Sequence, residues 1–221
     1  MASGSGLKND RKAGQAFTLH HYTKTLFHKA SLFNRVFQLD PYFAPMIGDK
    51  KEVKIADIGA GMFSTTGNTW PATKVEIHPS DELAEEYMQT LKKFGVTPLF
   101  PIEKQDMEHL TYPDESFDIV HCVNALDHCV DPYRAIKEMY RICRKDGWIY
   151  LRHYFNTALT QKGRGLHKWN LMMTINDDCI FWGELGNFML SSCISGFQNI
   201  AKKETGYERY RMMVSVLHKT T

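Results

Sequence analysis

The stretch Ile55-Ala56-Asp57-Ile58-Gly59-Ala60-Gly61 restricts this chain more than any other. An apolar run that ends in an acidic residue and then Gly-Ala-Gly reads as a buried parallel strand stopped by a tight turn. Glycine alone accepts the unusual backbone angles and lets a ligand come close to the main chain. Ser64, Thr65 and Thr66 follow, residues able to cap a helix, so backbone N–H groups are expected to face whatever lies over the glycines, and an anionic ligand group suits them. A dinucleotide turn needs a third glycine in G-x-G-x-x-G to admit a pyrophosphate. Here Phe63 and Ser64 follow Gly61, which weighs against a nicotinamide cofactor.

The chain has 221 residues, enough for one domain with a full core. Its net charge of +2 comes from interspersed charges of both signs, so no basic face points to nucleic acid. Five cysteines without C-x-x-C spacing fit free thiols in a reducing compartment rather than a disulfide framework or a zinc site. No run is long and apolar enough to span a bilayer, and the start has no signal-peptide pattern, so the expectation is a cytoplasmic protein. Residues 1–6 read as a tag or flexible linker, 7–50 as an N-terminal helical cap and 51–221 as the main domain.

Within Phe17 to Leu39, apolar residues at near-helical spacing predict one or two amphipathic helices ending before Asp40-Pro41. His20, His21 and His28 lie there with no carboxylate cluster, and read as solvated helix-face residues. Strand one is Val53 to Ile58. Strand two runs from Lys74 to Ile77 or slightly beyond, the helix that follows from Leu83 to Phe94, and strand three from Leu99 to Ile102. Tyr112 to Val120 ends a loop and opens strand four. Asp131-Pro132, an acidic N-cap with proline at the first helical position, starts a helix reaching about Arg144. Lys145-Asp146-Gly147 turns the chain into strand five, Trp148 to Arg152. Tyr154 to Lys168 reads as a mobile loop. Leu171 to Ile175 and Cys179 to Trp182 form a hairpin around Asn176-Asp177-Asp178, Glu184 to Ser195 is ambiguous, and Asn199 to Glu204 and Tyr210 to Leu217 supply two last strands. The alternation is that of a Rossmann-like, doubly wound α/β fold with a mostly parallel sheet and an antiparallel last pair.

The Asp-x-Gly-x-Gly turn, an acidic residue after strand two, Asp106 after strand three, the Ser116-Phe117-Asp118-Ile119-Val120 strand and the Asp-Pro helix with its Lys-Asp-Gly turn together resemble class I S-adenosylmethionine-dependent methyltransferases over roughly Lys54 to His153. Phe63 departs from relatives with a third glycine. The resemblance implies S-adenosyl-L-methionine as cofactor, held by Asp57, Gly59, Ala60, Gly61, Asp81, Asp106, Met107 and Asn124. Asp81 would accept the ribose diol, with Glu76 the alternative if the strand ends earlier and a helix cap the plain reading of Asp81. Asp106 would take the adenine amine, and Met107 would lie against the ring. Asp81 to Tyr87, Asn124 to His128 and Gly165 to Asn170 are similar to a narrower subgroup of microbial methyltransferases encoded beside or fused to glycosyltransferases. That similarity implies a carbohydrate or glycan acceptor.

Methylating a hydroxyl needs alignment, exclusion of water and a base. Ligands lie beyond the carboxyl ends of parallel strands, so the base candidates are His128, then His153, with Asp127 as orienting partner or alternative. A histidine at the start of the Asp-Pro helix turn can equally bond backbone. His153, His167, Trp169 and Asn170 would line the acceptor, Trp169 either stacking on a sugar ring or serving as core beneath a loop. No metal is expected, because no compact carboxylate-histidine group stands out in the sequence. A methylated quinone-like or lipid acceptor is the rival within enzymes, and a non-catalytic cofactor-binding module the rival outside them.

Overall fold

The structure, a computed structural model, describes the backbone of residues 4–29, 35–176, 178–205 and 211–220, and the side chains within 11–24, 35–176, 178–198 and 211–220. Helix α1 spans Gly4–Lys29 and so begins inside the stretch read as a linker. Residues 36–40 are extended rather than helical, with Gln38 bridged to Thr69. Of the apolar residues expected to line those helices, Leu26, Phe27, Ala30 and Phe33 fall outside the described side chains, as does His28. After the short helix α2 (Ala44–Ile47) come β1 (Glu52–Ile58), β2 (Lys74–Asp81), α3 (Ala84–Lys93), β3 (Glu103–Lys104), β4 (Phe117–Val123), α4 (Pro132–Ile142) and β5 (Cys143–Tyr154). Then follow α5 (Thr157–Thr160), β6 (Trp169–Met173), β7 (Cys179–Gly183), β8 (Gly186–Met189), α6 (Leu190–Cys193), β9 (Phe197–Thr205) and β10 (Met212–Lys219).

The main sheet has the order β3-β2-β1-β4-β5-β10-β9. Its first five strands are parallel, while β10 inserts antiparallel between β5 and β9, the mixed Rossmann-like sheet the sequence predicted. Strands buried on both faces must be apolar nearly throughout, and β1 obeys this: Val53, Ile55, Ala56 and Ile58 are all at most 1% exposed. One core cluster joins α4 to the sheet through Ala135, Ile136, Met139 and Ile142. On the other face Phe43, Met46 and Ile47 pack with Val53, Ile55, Tyr150 and Val214. The five cysteines are free thiols, all buried.

Strand three is displaced from the expected Leu99 to Ile102. Pro98 and Pro101 lack the amide N–H a ladder requires, so pairing with β2 starts only at Glu103, opposite Ser80. The expected loop 154–168 carries α5 and a run of backbone-bonded turns. The ambiguous segment becomes β8 and α6. With β6 and β7, β8 completes a second, three-stranded antiparallel sheet, closed by Phe181 stacked on Phe188 at 4.7 Å between ring centroids. Among the described residues no helix is long and apolar enough to cross a membrane.

Helix α4 starts as read from the sequence, with Asp131 accepting a hydrogen bond from the Arg134 backbone N–H at 3.0 Å and proline next to it. Removing that cap with Asp131→Ala is expected to cost about 1 kcal/mol of stability. The readout is a lower urea midpoint at unchanged denaturant slope, with affinity for S-adenosylhomocysteine unaltered.

Candidate active site

Two hollows meet above the carboxyl ends of the parallel strands. The first lies over the glycine turn. Gly59 and Gly61 both have positive φ, +70° and +68°. A Cβ on Gly59 would stand 2.4 Å from the Ala125 Cβ and 2.9 Å from the Met107 Cε, and one on Gly61 would stand 2.6 Å from the Tyr22 hydroxyl. Conformation and space therefore both demand glycine. Asp57 underpins the turn from below. It is 2% exposed, and its carboxylate accepts from the Ser64 hydroxyl at 2.5 Å and from the His121 Nδ1–H at 2.6 Å. Its place is thus under the turn, not among the residues lining the hollow. At the end of β2, Asp81 accepts from the Gly61 N–H at 3.0 Å and the Leu83 N–H at 2.9 Å. Each oxygen keeps a lone pair for a further donor such as a ribose hydroxyl, so the cap and the ligand roles coexist. Glu76 sits mid-strand, 2.6 Å from His78, and does not line the hollow.

Asp106, Met107, Ala125 and Asn124 complete the floor. Asp106 accepts from the Glu108 N–H at 2.9 Å. Asn124 holds a left-handed backbone (φ 51°), and its side-chain oxygen accepts from the Tyr154 N–H, pinning the ends of β4 and β5 together. Helix α1 forms the roof with Arg11, Gln15, Thr18 and Tyr22, leaving about 70 Å³. That is far below the roughly 300 to 1,000 Å³ of ordinary ligand pockets, so a nucleoside can enter only if this roof shifts. Arg11 is the one cation lining the hollow among the described residues, facing Glu82, Asp106 and Glu108 and bonded to Glu82 at 2.6 Å, with Asp81 the fourth carboxylate of the lining. Four carboxylates around a cleft attract a cationic ligand. The sequence reading missed Arg11 because helical spacing alone does not say what a helix covers.

The second hollow, of about 800 Å³, lies between α5, the loop to β6 and the β7–β8 turn. Arg11, His128, Cys129 and Leu166 line both hollows and form the partition between them. Behind the partition, Asp127 is buried and accepts from the His167 Nδ1–H at 2.6 Å, while His128 Nε2 lies 3.1 Å from that same nitrogen. Burial pushes the Asp127 carboxyl up, but His128 and the hydrogen bond from His167 outweigh it and hold the group below the usual carboxylate range. Burial lowers His128, keeping its ring neutral near pH 7. The Lys168 N–H donates to the Asp127 backbone oxygen at 3.0 Å, which is what brings His167 to a residue 40 positions earlier. The compact carboxylate-histidine group that the sequence did not reveal is therefore assembled by the tertiary structure.

Other expected acceptor residues are placed differently. His153 is 1% exposed within β5, neither ring nitrogen has a partner among the described residues, and burial lowers it to about 4. It lines neither hollow. Trp169 is core, its indole N–H donating to the Cys129 carbonyl at 3.1 Å, as the plainer of its two readings had it. Asn170 lines the second hollow, its side-chain oxygen accepting from the Leu159 N–H. Trp182 was not foreseen as a site residue. It lines the second hollow, and its indole N–H is buried without a partner among the described residues. Nothing in its hairpin position distinguished it from core.

Residues 56–151 match the family model described as a methyltransferase domain. The chain is 29% identical over 108 residues to the uncharacterised Bacillus subtilis methyltransferase YcgJ, covering 48% of this chain and 42% of that one. The YcgJ structure superposes with a TM-score of 0.53 at 16% identity over 81% of this chain and 97% of that one. Over residues 56–151 the chain is thus similar to the methyltransferase domains that the sequence resembles, those of class I that use S-adenosylmethionine. Its cofactor is S-adenosylmethionine, whose sulfonium matches the acidic cleft. A Neurospora crassa sterol 24-C-methyltransferase is 24% identical over 152 residues, 65% of this chain and 39% of that one. The methyltransferase solved with the Haloferax volcanii Trm112 activator shares the fold, at a TM-score of 0.58 and 14% identity over 96% of this chain and 97% of that one. The chain spans less than half of the length of the curated relatives it matches.

Burial raises the Asp81 carboxyl of this methyltransferase domain to about 6, against two backbone hydrogen bonds that favour the charged form. Asp57, Glu82, Tyr22 and Tyr87 face it. Glu82 is paired with Arg11, and burial raises both phenols, so they stay neutral. Ribose hydroxyls donate to the ionised form. Affinity for S-adenosylhomocysteine should therefore be full above pH 6 and fall about tenfold per unit as pH drops below it. Calorimetric titration between pH 7.5 and 5.0 checks this, with Asp81→Asn weaker throughout and flat with pH over that range.

Proposed function

We propose that the domain transfers the methyl group of S-adenosylmethionine to a hydroxyl of an acceptor bound in the 800 Å³ hollow. The observation that carries this reading is His128, which lies in the partition between the cofactor cleft and the second hollow. In the step itself the acceptor oxygen attacks the methyl carbon in line. The O–CH₃ bond forms as the S–CH₃ bond breaks, the proton passes to His128, and S-adenosylhomocysteine leaves. Burial keeps His128 unprotonated and able to accept. Asp127 and His167 flank the His128 Nε2 that takes the proton, at 3.8 and 3.1 Å, and the Asp127 carboxylate offsets the charge the ring gains. Cofactor residues are Gly59, Gly61, Asp81, Asp106, Met107 and Asn124, with Asp57 positioning the turn.

The acceptor hollow favours a molecule with an apolar body. Val130, Leu159 and Leu185 line it and are 39%, 58% and 51% exposed, beside Leu166 and Trp182. A hydroxyl-bearing end would meet His167, Asn170 and Lys168. A bare sugar leaves the apolar wall unmatched, whereas an amphipathic acceptor satisfies both, in keeping with the sterol acted on by the Neurospora relative. The sugar hydroxyl remains the second reading, favoured by Asn170 and His167, and it carries with it a glycosyltransferase-associated partner.

Radiolabelled methyl transfer to two acceptor panels, hydroxylated lipids and glycosides, separates the readings. Labelling of glycosides alone would sink the amphipathic one. On whichever acceptor is labelled, His128→Ala is expected to lower turnover by about 10²- to 10⁴-fold and to leave affinity for S-adenosylhomocysteine within about twofold. Unchanged turnover would move the role of base to His167.

A further inference from the structure

We propose that Asp127 Oδ2, His128 Nε2 and His167 Nδ1 form a binding site for a divalent transition-metal ion of the zinc class. The three atoms lie at the corners of a small triangle with edges of 2.6 Å (Asp127–His167), 3.1 Å (His128–His167) and 3.8 Å (Asp127–His128). Donors at about 2.0–2.1 Å from a tetrahedral zinc ion stand about 3.3 Å from one another. The observed edges bracket that value, so side-chain shifts below an ångström convert the triangle into a coordination face.

Proton counting supports the same end. A neutral imidazole carries one N–H. The His167 proton sits on Nδ1, donated to Asp127, so His128 Nε2, at 3.1 Å from that nitrogen, presents a lone pair toward it. Moving the His167 proton from Nδ1 to Nε2 changes the tautomer and no net charge. All three atoms then present lone pairs to one point. Two imidazoles and one carboxylate suit zinc, cobalt or nickel better than magnesium or calcium, which favour all-oxygen sets.

The surroundings suit an ion that exchanges with solvent. The Asp127 side chain is 3% exposed, whereas those of His128 and His167 are 25% and 26% exposed, and both line the second hollow. The ion would be held from behind by the buried carboxylate and flanked by the rings. A fourth position stays open toward the hollow, the arrangement of a catalytic rather than a structural zinc. The backbone is fixed on both sides, by the Lys168 N–H on the Asp127 carbonyl and the Trp169 indole on the Cys129 carbonyl. Resting on the proposed methyl transfer, the open position is where the acceptor hydroxyl would bind. An ion there would lower the pKa of a bound hydroxyl, whose proton would then pass to water in the hollow, since the His128 lone pair would be held as a ligand.

The test needs neither acceptor nor turnover, so its failure is distinct from failure of the proposed activity. The metal-stripped full chain is titrated with cobalt(II), and visible d–d absorption is followed. Expected is saturation at about one ion per chain with the intense bands of a four-coordinate site, reversed by zinc. His167→Gln and His128→Gln should each abolish the bands while keeping the far-ultraviolet circular dichroism and cooperative thermal unfolding of the unaltered chain, which shows that they fold. Replacing the exposed pair His20 and His21 by alanine serves as control and should leave the bands intact. No four-coordinate spectrum in the unaltered chain, a spectrum that survives both glutamine variants, or one lost in the His20/His21 control would each overturn the site.

Discussion

Everything above the sheet depends on the anchoring of one turn. The backbone at Gly59 and Gly61 turns left-handed at the end of β1, a conformation with no intrinsic preference to persist. Two carboxylates fix it from opposite sides: Asp57 from below through Ser64 and His121, and Asp81 from the neighbouring strand through the Gly61 N–H. His121 is itself stacked on Tyr150 at 5.2 Å, which ties the turn into β4 and β5. Loss of either carboxylate would leave buried donors unpaired, and an unmade buried hydrogen bond costs more than a made one contributes. The turn is thus rigid while bare of side chains, the combination a ligand lying on main chain requires.

The charge distribution explains why a helix outside the sheet belongs to the site. Asp81, Glu82, Asp106 and Glu108 line a narrow cleft, and the uncompensated repulsion among them would oppose folding. Arg11 on α1 supplies the opposing charge, 2.6 Å from Glu82 and 3.8 Å from Glu108. The cationic sulfonium of the cofactor offers the same compensation. Roof helix and cofactor are therefore electrostatic alternatives over one floor, and the 70 Å³ left between them reflects the first of the two.

Chemistry beside that floor is built by the second sheet. The β6–β7–β8 sheet packs Trp169, Leu171, Cys179 and Phe181 into the core of the main sheet, and its first strand holds His167 against Asp127. Fixing the loop at residues 168–169 by two backbone acceptors within 127–129 gives the imidazole pair defined positions. His128 thereby lines both hollows, while His167 faces the second.

The sequence by itself determined the strand-turn-helix order, the two glycines, Asp81, Asp106 and the capped helix α4, because these follow from local rules: backbone conformation, capping and the alternation of buried strands. It also determined the cofactor class, since those local signals recur in fixed order. Tertiary structure alone decided three matters. It turned Asp57 from ligand residue to anchor and sealed His153 and Trp169 into the core, because burial depends on what packs from elsewhere in the chain. It displaced β3 past Pro101, where the ladder's need for N–H donors overrode an apolar run. And it joined Asp127, His128 and His167 across 40 positions, a contact that no periodicity encodes because it is made by the folding back of a separate sheet.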